Sequence, residues 1–229
     1  RNVKFGAKYP ISNKIYALSA LPRDEAFLFL DTDHVVTGSF EAASLNFHRP
    51  SGAYEVPRFP RETKFGWSRA DVWDALYAKF NISTDQWKRA PRRPDDPNVY
   101  PYFNAGSFYY ARAGLFYELR RNVAAAIYAD PPDELSGQAL FPWLDQISIP
   151  LVMSLLGADN HQYRDDHPLS KVAFHYFSKA RLCMPRHARV LEVALSAIET
   201  SDHRDLFVNA DSYYYFFGEG REYISSIIR

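Results

Sequence analysis

The chain has a single cysteine, Cys183, among its 229 residues. No disulfide can form within it, which favours a reducing compartment and leads to the expectation of a cytoplasmic location. A lone cysteine without a His/Asn signature beside it reads as a small buried hydrophobe. An excess of charge of either sign is also missing: Lys+Arg and Asp+Glu number 27 each, so the overall charge draws no nucleic acid or acidic surface. The one local basic run, KRAPRR at Lys88 to Arg93, is interrupted by Pro91 and followed by Pro94, and reads as a solvated loop. No apolar run approaches the roughly 20 residues that a membrane span requires. The opening residues show neither a basic-then-apolar leader nor an initiator methionine, as expected of a trimmed chain or a fragment. Internal repeats, low-complexity tracts and composition shifts are absent too, and residues 1–229 are read as one domain.

What the chain does have is aromatic and apolar mass: 16% of its residues are aromatic and 47% hydrophobic, enough for a sizeable core. Helical spacing appears in NKIYALSAL, Asn13 to Leu21, with Ser12 as its N-cap. FLFL, Phe27 to Leu30, is an apolar strand. Phe47 to Lys64 is a long irregular stretch rich in Pro, Gly and Arg, including Arg49, Arg58 and Arg61. SRADVWDALYAKF predicts a helix capped by Ser68. Ala90 to Pro101 is a second irregular stretch. VYPYFNAGSFYYARA, Val99 to Ala113, is rich in β-formers, interrupted at Asn104-Ala105-Gly106 by what reads as a turn or bulge. Leu115 to Ala129 and Leu144 to Gly157 are helices, the second with Asp145 placed to cap its first turn and Pro150 placed to kink it. VAFHYF, Val172 to Phe177, is a short strand, and His187 to Thr200 an amphipathic helix. The aromatic tail from Ser212 is too apolar for a free tail. Strands alternating with helices predict an α/β layered fold.

The strand FLFL runs into DTDHV, with Asp31 and Asp33 one residue apart. Ligands of α/β sheets bind beyond the carboxyl ends of strands, so this pair falls where a site belongs. If the chain stays extended, alternation puts both carboxylates on one side and His34 on the other. Two close carboxylates raise each other's pKa unless a cation lies between them. Oxygen donors suit Mg2+ or Mn2+, often shared with phosphate. The plainer alternative is one aspartate capping the turn and one solvated.

Two families share this pattern. DTDHV matches the first motif of haloacid-dehalogenase-like phosphatases, which implies Asp31 as nucleophile and Asp33 as acid/base. No Gly-Asp-x-x-x-Asp follows, however, and Asp165-Asp166 precede Lys171 in the reverse of that family's order. The chain more fully resembles the GT-A glycosyltransferases, in particular family-8-like members. The resemblance is carried by SNKIYALSALPRDEAFLFLDTDHVVTGSF, PYFNAGSFYYA (Pro101 to Ala111), WLDQISIPLVM (Trp143 to Met153) and FHYFSKARL (Phe174 to Leu182), in that order. It implies an α/β mixed sheet flanked by helices and metal-dependent hexosyl transfer from a nucleotide-diphosphate sugar to a glycan, protein or small-molecule hydroxyl. Carried over, it makes Asp31, Asp33 and His175 ligands of Mn2+ or Mg2+, with Asp31 also near the ribose. Lys179 would meet the diphosphate, and Asn104, Ala105 and Gly106 would line the donor sugar or acceptor. Asp145 and Gln146 would bind the sugar hydroxyls, and Lys14 would face phosphate or solvent. A base carboxylate for inversion is open among Asp145, Asp165 and Asp166. Only 30 residues precede Asp31, where these enzymes carry a nucleotide-binding half, so that half is expected to be missing; a non-catalytic binding module is the corresponding alternative. The usual glycine and KPW ending of the last motif are also absent.

Overall fold

A computed structural model describes residues 13–54, 59–60, 66–83, 100–157, 161–176, 184 and 187–200. Ser12, Arg58, Arg61, Lys88 to Arg93, Lys179, Cys183 and the aromatic tail lie outside the described residues. The chain divides into two compact units, Arg1–Leu30 with Leu45–Arg164, and Asp31–Ser44 with Asp165–Arg229.

The first unit is built on a four-stranded mixed sheet in the order β1-β4-β3-β5. β1 is Phe27–Leu30, β3 Ser51–Tyr54, β4 Phe103–Tyr110 and β5 His161–Tyr163. β4 runs antiparallel to β1 and β3, and β5 lies parallel to β3. The helices of this unit are α1 (Asn13–Tyr16, continued by a 3-10 turn to Ala20), α2 (Arg69–Lys79), α3 (Ala113–Ala129) and α4 (Leu144–Leu156). The α/β architecture with a mixed sheet and flanking helices is the expected one.

β4 is buried along nearly its whole length, as a central strand covered on both faces must be. Phe108 stacks on Phe29 at 4.7 Å and on Phe116 of α3 at 5.1 Å, which ties β1, β4 and α3 into one core. Arg120, fully buried, lays its guanidinium 5.0 Å from the Phe108 ring centre and donates to the carbonyls of Lys14 and Asp145. α2 starts at the predicted cap: Ser68 and Asp71 exchange side-chain and backbone hydrogen bonds in a capping box.

Asn104-Ala105-Gly106 lies within β4, and the bulge expected there is present as a slip in the pairing with β3, between Tyr54↔Phe103 and Gly52↔Phe108. Two other sequence expectations give way. β3 falls inside the stretch taken as irregular. Its Gly52 is poor strand material in isolation, yet a Cβ there would come within 2.8 Å of the Phe103 ring, so the close pairing needs glycine. Asp145 does not cap α4, whose N-cap is Trp143 without a side-chain cap bond. The amides of Trp143 and Leu144 already donate to Leu140, so the preceding turn supplies the helix start.

The second unit holds β2 (His34–Val36), α5 (Pro168–Val172), β6 (Ala173–His175) and α6 (Ala188–Glu199). β2 and β6 form an antiparallel pair in the register His34↔His175, Val35↔Phe174, Val36↔Ala173. Thr37 N to Val172 O, at 2.7 Å, and Tyr176 N to Asp33 O, at 3.1 Å, extend the ladder at both ends. Leu191 and Leu195 of α6 are buried with Tyr176 packed against them. Val172 belongs to α5 instead of the strand predicted from VAFHYF.

Candidate functional site

β1 ends at Leu30, and the next residues do not stay extended. The amide of His34 donates to the Asp31 carbonyl at 3.0 Å, closing a turn over Asp31–His34. Asp31 Oδ1 accepts the amide of Thr32 at 3.0 Å, a local bond that holds its carboxylate over the turn. Strand alternation therefore fails across this motif. Asp31 and Asp33 sit at different corners of a turn, and His34 opens β2 on the side where Asp33 lies.

Pairing of β2 with β6 then sets His34 directly opposite His175. Residues opposite each other across an antiparallel pair project on the same face, and these two rings stack with centres 4.2 Å apart. Asp33 Oδ1 lies 2.9 Å from His175 Nε2 and 3.9 Å from His34 Nδ1. Ligand-type atoms of Asp33, His34 and His175 all fall within 4.8 Å of one another. Asp31 does not join this group. Of the aspartate pair and histidine singled out in the sequence, Asp33 and His175 come together; His34, expected to face away, is the third member. The signal for it was present in the sequence as a histidine directly after D-x-D, but only the turn brings it round.

The electrostatics of the cluster follow from burial. Loss of water pushes the Asp33 carboxyl up; His175, then His34, more than offset this, and the net shift is downward, towards a carboxylate. Burial of the His34 ring, whose side chain is 4% exposed, and its neighbour His175 pull it down to about 4. At neutral pH it is an uncharged imidazole with a lone pair to offer. Its Nδ1 also lies 3.2 Å from the Asp31 carbonyl, which fixes the ring's orientation. Asp33 Oδ1 is buried and lies at hydrogen-bond distance, 2.9 Å, from His175 Nε2, the bond that most lowers its pKa. A carboxylate with an imidazole beside it is a donor set that divalent transition ions accept. The residues present therefore fit the metal that the resemblance implies.

The remaining predicted residues belong to the first unit. Asn104, Ala105 and Gly106 are buried in β4, and Asn104 Oδ1 accepts the amide of Gly106 at 2.6 Å. Asp145 is 3% exposed, and Gln146 Nε2 donates to the Phe103 carbonyl at 3.3 Å, fastening the start of α4 to β4. Sequence reasoning missed Arg120, which reaches the Asp145 carbonyl from α3 and so braces the same helix start. Asp165 and Asp166 are exposed. Lys14 is half-buried, with its carbonyl bonded to Arg120.

A sequence-family profile described as the Rhodobacterales glycosyltransferase domain matches residues 1–157. The matched region contains the DTDH turn, β4 and the start of α4, whereas His175 lies beyond it. No curated protein and no solved structure gives a significant match. Among the described residues, no helix is long and apolar enough to cross a membrane.

Proposed function

Since the chain belongs to the Rhodobacterales glycosyltransferase domain family, whose reaction is glycosyl transfer from a sugar donor to an acceptor, we propose that it is a metal-dependent hexosyltransferase of the GT-A type, using a nucleotide-diphosphate sugar. The observation that supports the metal-dependent reading is the approach of His175 Nε2 to within 2.9 Å of Asp33 Oδ1, in a cluster with His34 whose ligand-type atoms all lie within 4.8 Å of one another. Asp33 and His175 would hold the ion, and Asp31, outside the cluster, would turn towards the donor ribose. When bound, a divalent ion supplies positive charge for the departing diphosphate. The protein's part is positioning: the turn at Asp31–His34 and the β2–β6 pair fix the carboxylate and imidazole before any substrate arrives, so little reorganisation is needed. Asn104 to Gly106, Asp145 and Gln146 are assigned to donor sugar and acceptor, and Lys179 to the diphosphate. The acceptor is a glycan, protein or small-molecule hydroxyl.

The test incubates the full chain with Mn2+ and a panel of uridine, guanosine and cytidine diphosphate sugars, and measures free nucleotide and transferred sugar. Release with at least one donor, abolished by chelation and lowered about 100- to 1,000-fold in kcat/KM by Asp33→Asn, is the expected result. No release from any donor would overturn the proposal. Release unaffected by chelation would overturn its metal dependence alone.

A further inference from the structure

We infer that Arg164, braced on the ring of Tyr54 at the carboxyl edge of the sheet, grips an oxyanion of the acceptor, so that the acceptor is a hydroxyl compound carrying a carboxylate or phosphate. The inference deepens the proposed function and rests on its assignment of Asn104 and Gln146 to the donor sugar. β3 and β5 run parallel, and β4 runs antiparallel to β3, so the ends of β3 and β5 and the start of β4 share one edge. Ligands of α/β sheets bind at such an edge. β4 begins there with Phe103, paired with Tyr54, and the Phe103 carbonyl accepts Gln146 Nε2 at 3.3 Å. Arg164 is the residue directly after β5. The register Ala53↔Tyr163 brings it beside Tyr54, and its guanidinium carbon lies over the Tyr54 ring, 4.6 Å from the centre.

The competing account is an ordinary solvated surface arginine. Such a side chain samples many rotamers, and ordering it on binding costs up to about 2 kcal/mol of conformational entropy. Here the half-buried Tyr54 ring holds the guanidinium in place before any ligand arrives. Contact with the ring uses none of the five N–H donors. No carboxylate among the described residues pairs with Arg164, though two aspartates follow it in the chain. A positioned planar fork with its donors open matches a carboxylate or phosphate and gains nothing from a neutral hydroxyl that water would not supply. Strand order decides between donor and acceptor. β5 lies two strands from β4, which puts Arg164 about 10 Å along the edge from the start of β4, where the donor sugar is assigned. A group held there belongs to a molecule lying past that sugar.

The test compares methyl glucuronide, glucose 6-phosphate and methyl glucoside as acceptors for the full chain. Saturation-transfer NMR reads binding, and transfer is read with whichever donor releases nucleotide. At least one of the two anionic sugars should bind and react with a KM at least tenfold below that of the neutral glucoside; which one does so separates a carboxylate acceptor from a phosphate one. Arg164→Gln should raise that KM about 10- to 100-fold with most of the loss in KM, and Arg164→Lys, which keeps the charge without the fork, should restore part of it. Tyr54→Leu should raise it about 2- to 5-fold. The preference should also weaken as NaCl rises from 0.05 to about 0.5 M, a dependence that a merely structural arginine would not give. Equal use of neutral and anionic sugars, or a preference unchanged in Arg164→Gln, would overturn the inference. Transfer to the neutral sugar alone would overturn it and leave the proposed function standing. Arg164-dependent binding of an anionic sugar without transfer from any donor would do the reverse.

Discussion

Gly114 offers a substitution whose expected sign reverses once the structure is known. It is the second residue of α3, and replacing glycine by alanine in a helix ordinarily adds up to about 1 kcal/mol of stability, through propensity and a less flexible unfolded chain. Here the Gly114 amide donates to the Arg23 carbonyl at 2.8 Å, and the amide of Ala113 to Glu25 at 2.9 Å, so the helix start is pinned against the turn that feeds β1. An added Cβ would lie 3.0 Å from both the Cα and the carbonyl oxygen of Arg23. Those are backbone atoms and cannot swing aside; the helix or the turn must shift, and both hydrogen bonds lengthen. Overpacking of this kind costs about 1–3 kcal/mol, and loss of a hydrogen bond adds about 0.5–1.5, which together exceed the propensity gain. Gly114→Ala is therefore expected to destabilise by about 1–3 kcal/mol, or roughly 2–10 °C in melting temperature for a chain of this size. Gly38→Ala is the control: its Cβ would meet the Val172 side chain, Cγ1 at 3.4 Å and Cβ at 4.0 Å, ordinary contacts, and its melting temperature should stay within about 2 °C of the parent's. Thermal melts followed by circular dichroism, backed by urea titration, measure both. A Gly114→Ala chain as stable as the parent or more so would refute the reasoning.

Phe108→Ala should cost about 3–5 kcal/mol in urea unfolding, because the ring contacts Phe29, Phe116 and Arg120 at once; a loss below about 1 kcal/mol would show that the core collapses around the gap. Ser68→Ala should cost about 1 kcal/mol by removing one half of the capping box of α2, again read by denaturant unfolding. Hydrogen bonds from Ser68, first its side chain and then its amide, hold the Asp71 carboxyl below its usual range. A depressed folded pKa contributes stability above the unfolded value of about 3.9 and loses it as pH falls through the folded value. The difference in melting temperature between the parent and Asp71→Ala should therefore be constant from pH 7 to about 5 and shrink below about pH 4; a difference that widens on acidification would reverse the assignment.

What the sequence made legible was local. Ser68 followed by Asp71 and an apolar helical stripe needs nothing beyond one turn of chain to act as a cap, and it is found as such. The apolar run FLFL and the long periodic stretches of α3 and α4 are strong enough to survive any tertiary context. β3 and β5 were not legible, because four residues SGAY and three residues HQY have little strand character of their own. They are strands because β4 lies beside β3 and β3 beside β5. Asp145 shows the opposite failure: the residue type is right for a cap, but an upstream turn had already supplied the bonds a cap would make.

The DTDH motif shows how such a failure bears on chemistry. Spacing along the chain implies geometry only through an assumed backbone, and the assumption here was an extended one, in which residues 31 and 33 share a side and 34 does not. One hydrogen bond, from the His34 amide to the Asp31 carbonyl, replaces that backbone with a turn. The two aspartates that would have repelled each other are separated, and the histidine that would have pointed away becomes the cross-strand partner of His175. His175 itself was legible as a candidate through its setting in FHYFSK, but its nearness to Asp33 depends on a β pairing across most of the chain, which no local pattern encodes. Residue types in the short motif thus singled out Asp33 as a candidate carboxylate. The turn and the register, both invisible in the spacing, determine which side chains surround that carboxylate: His34 and His175 instead of Asp31.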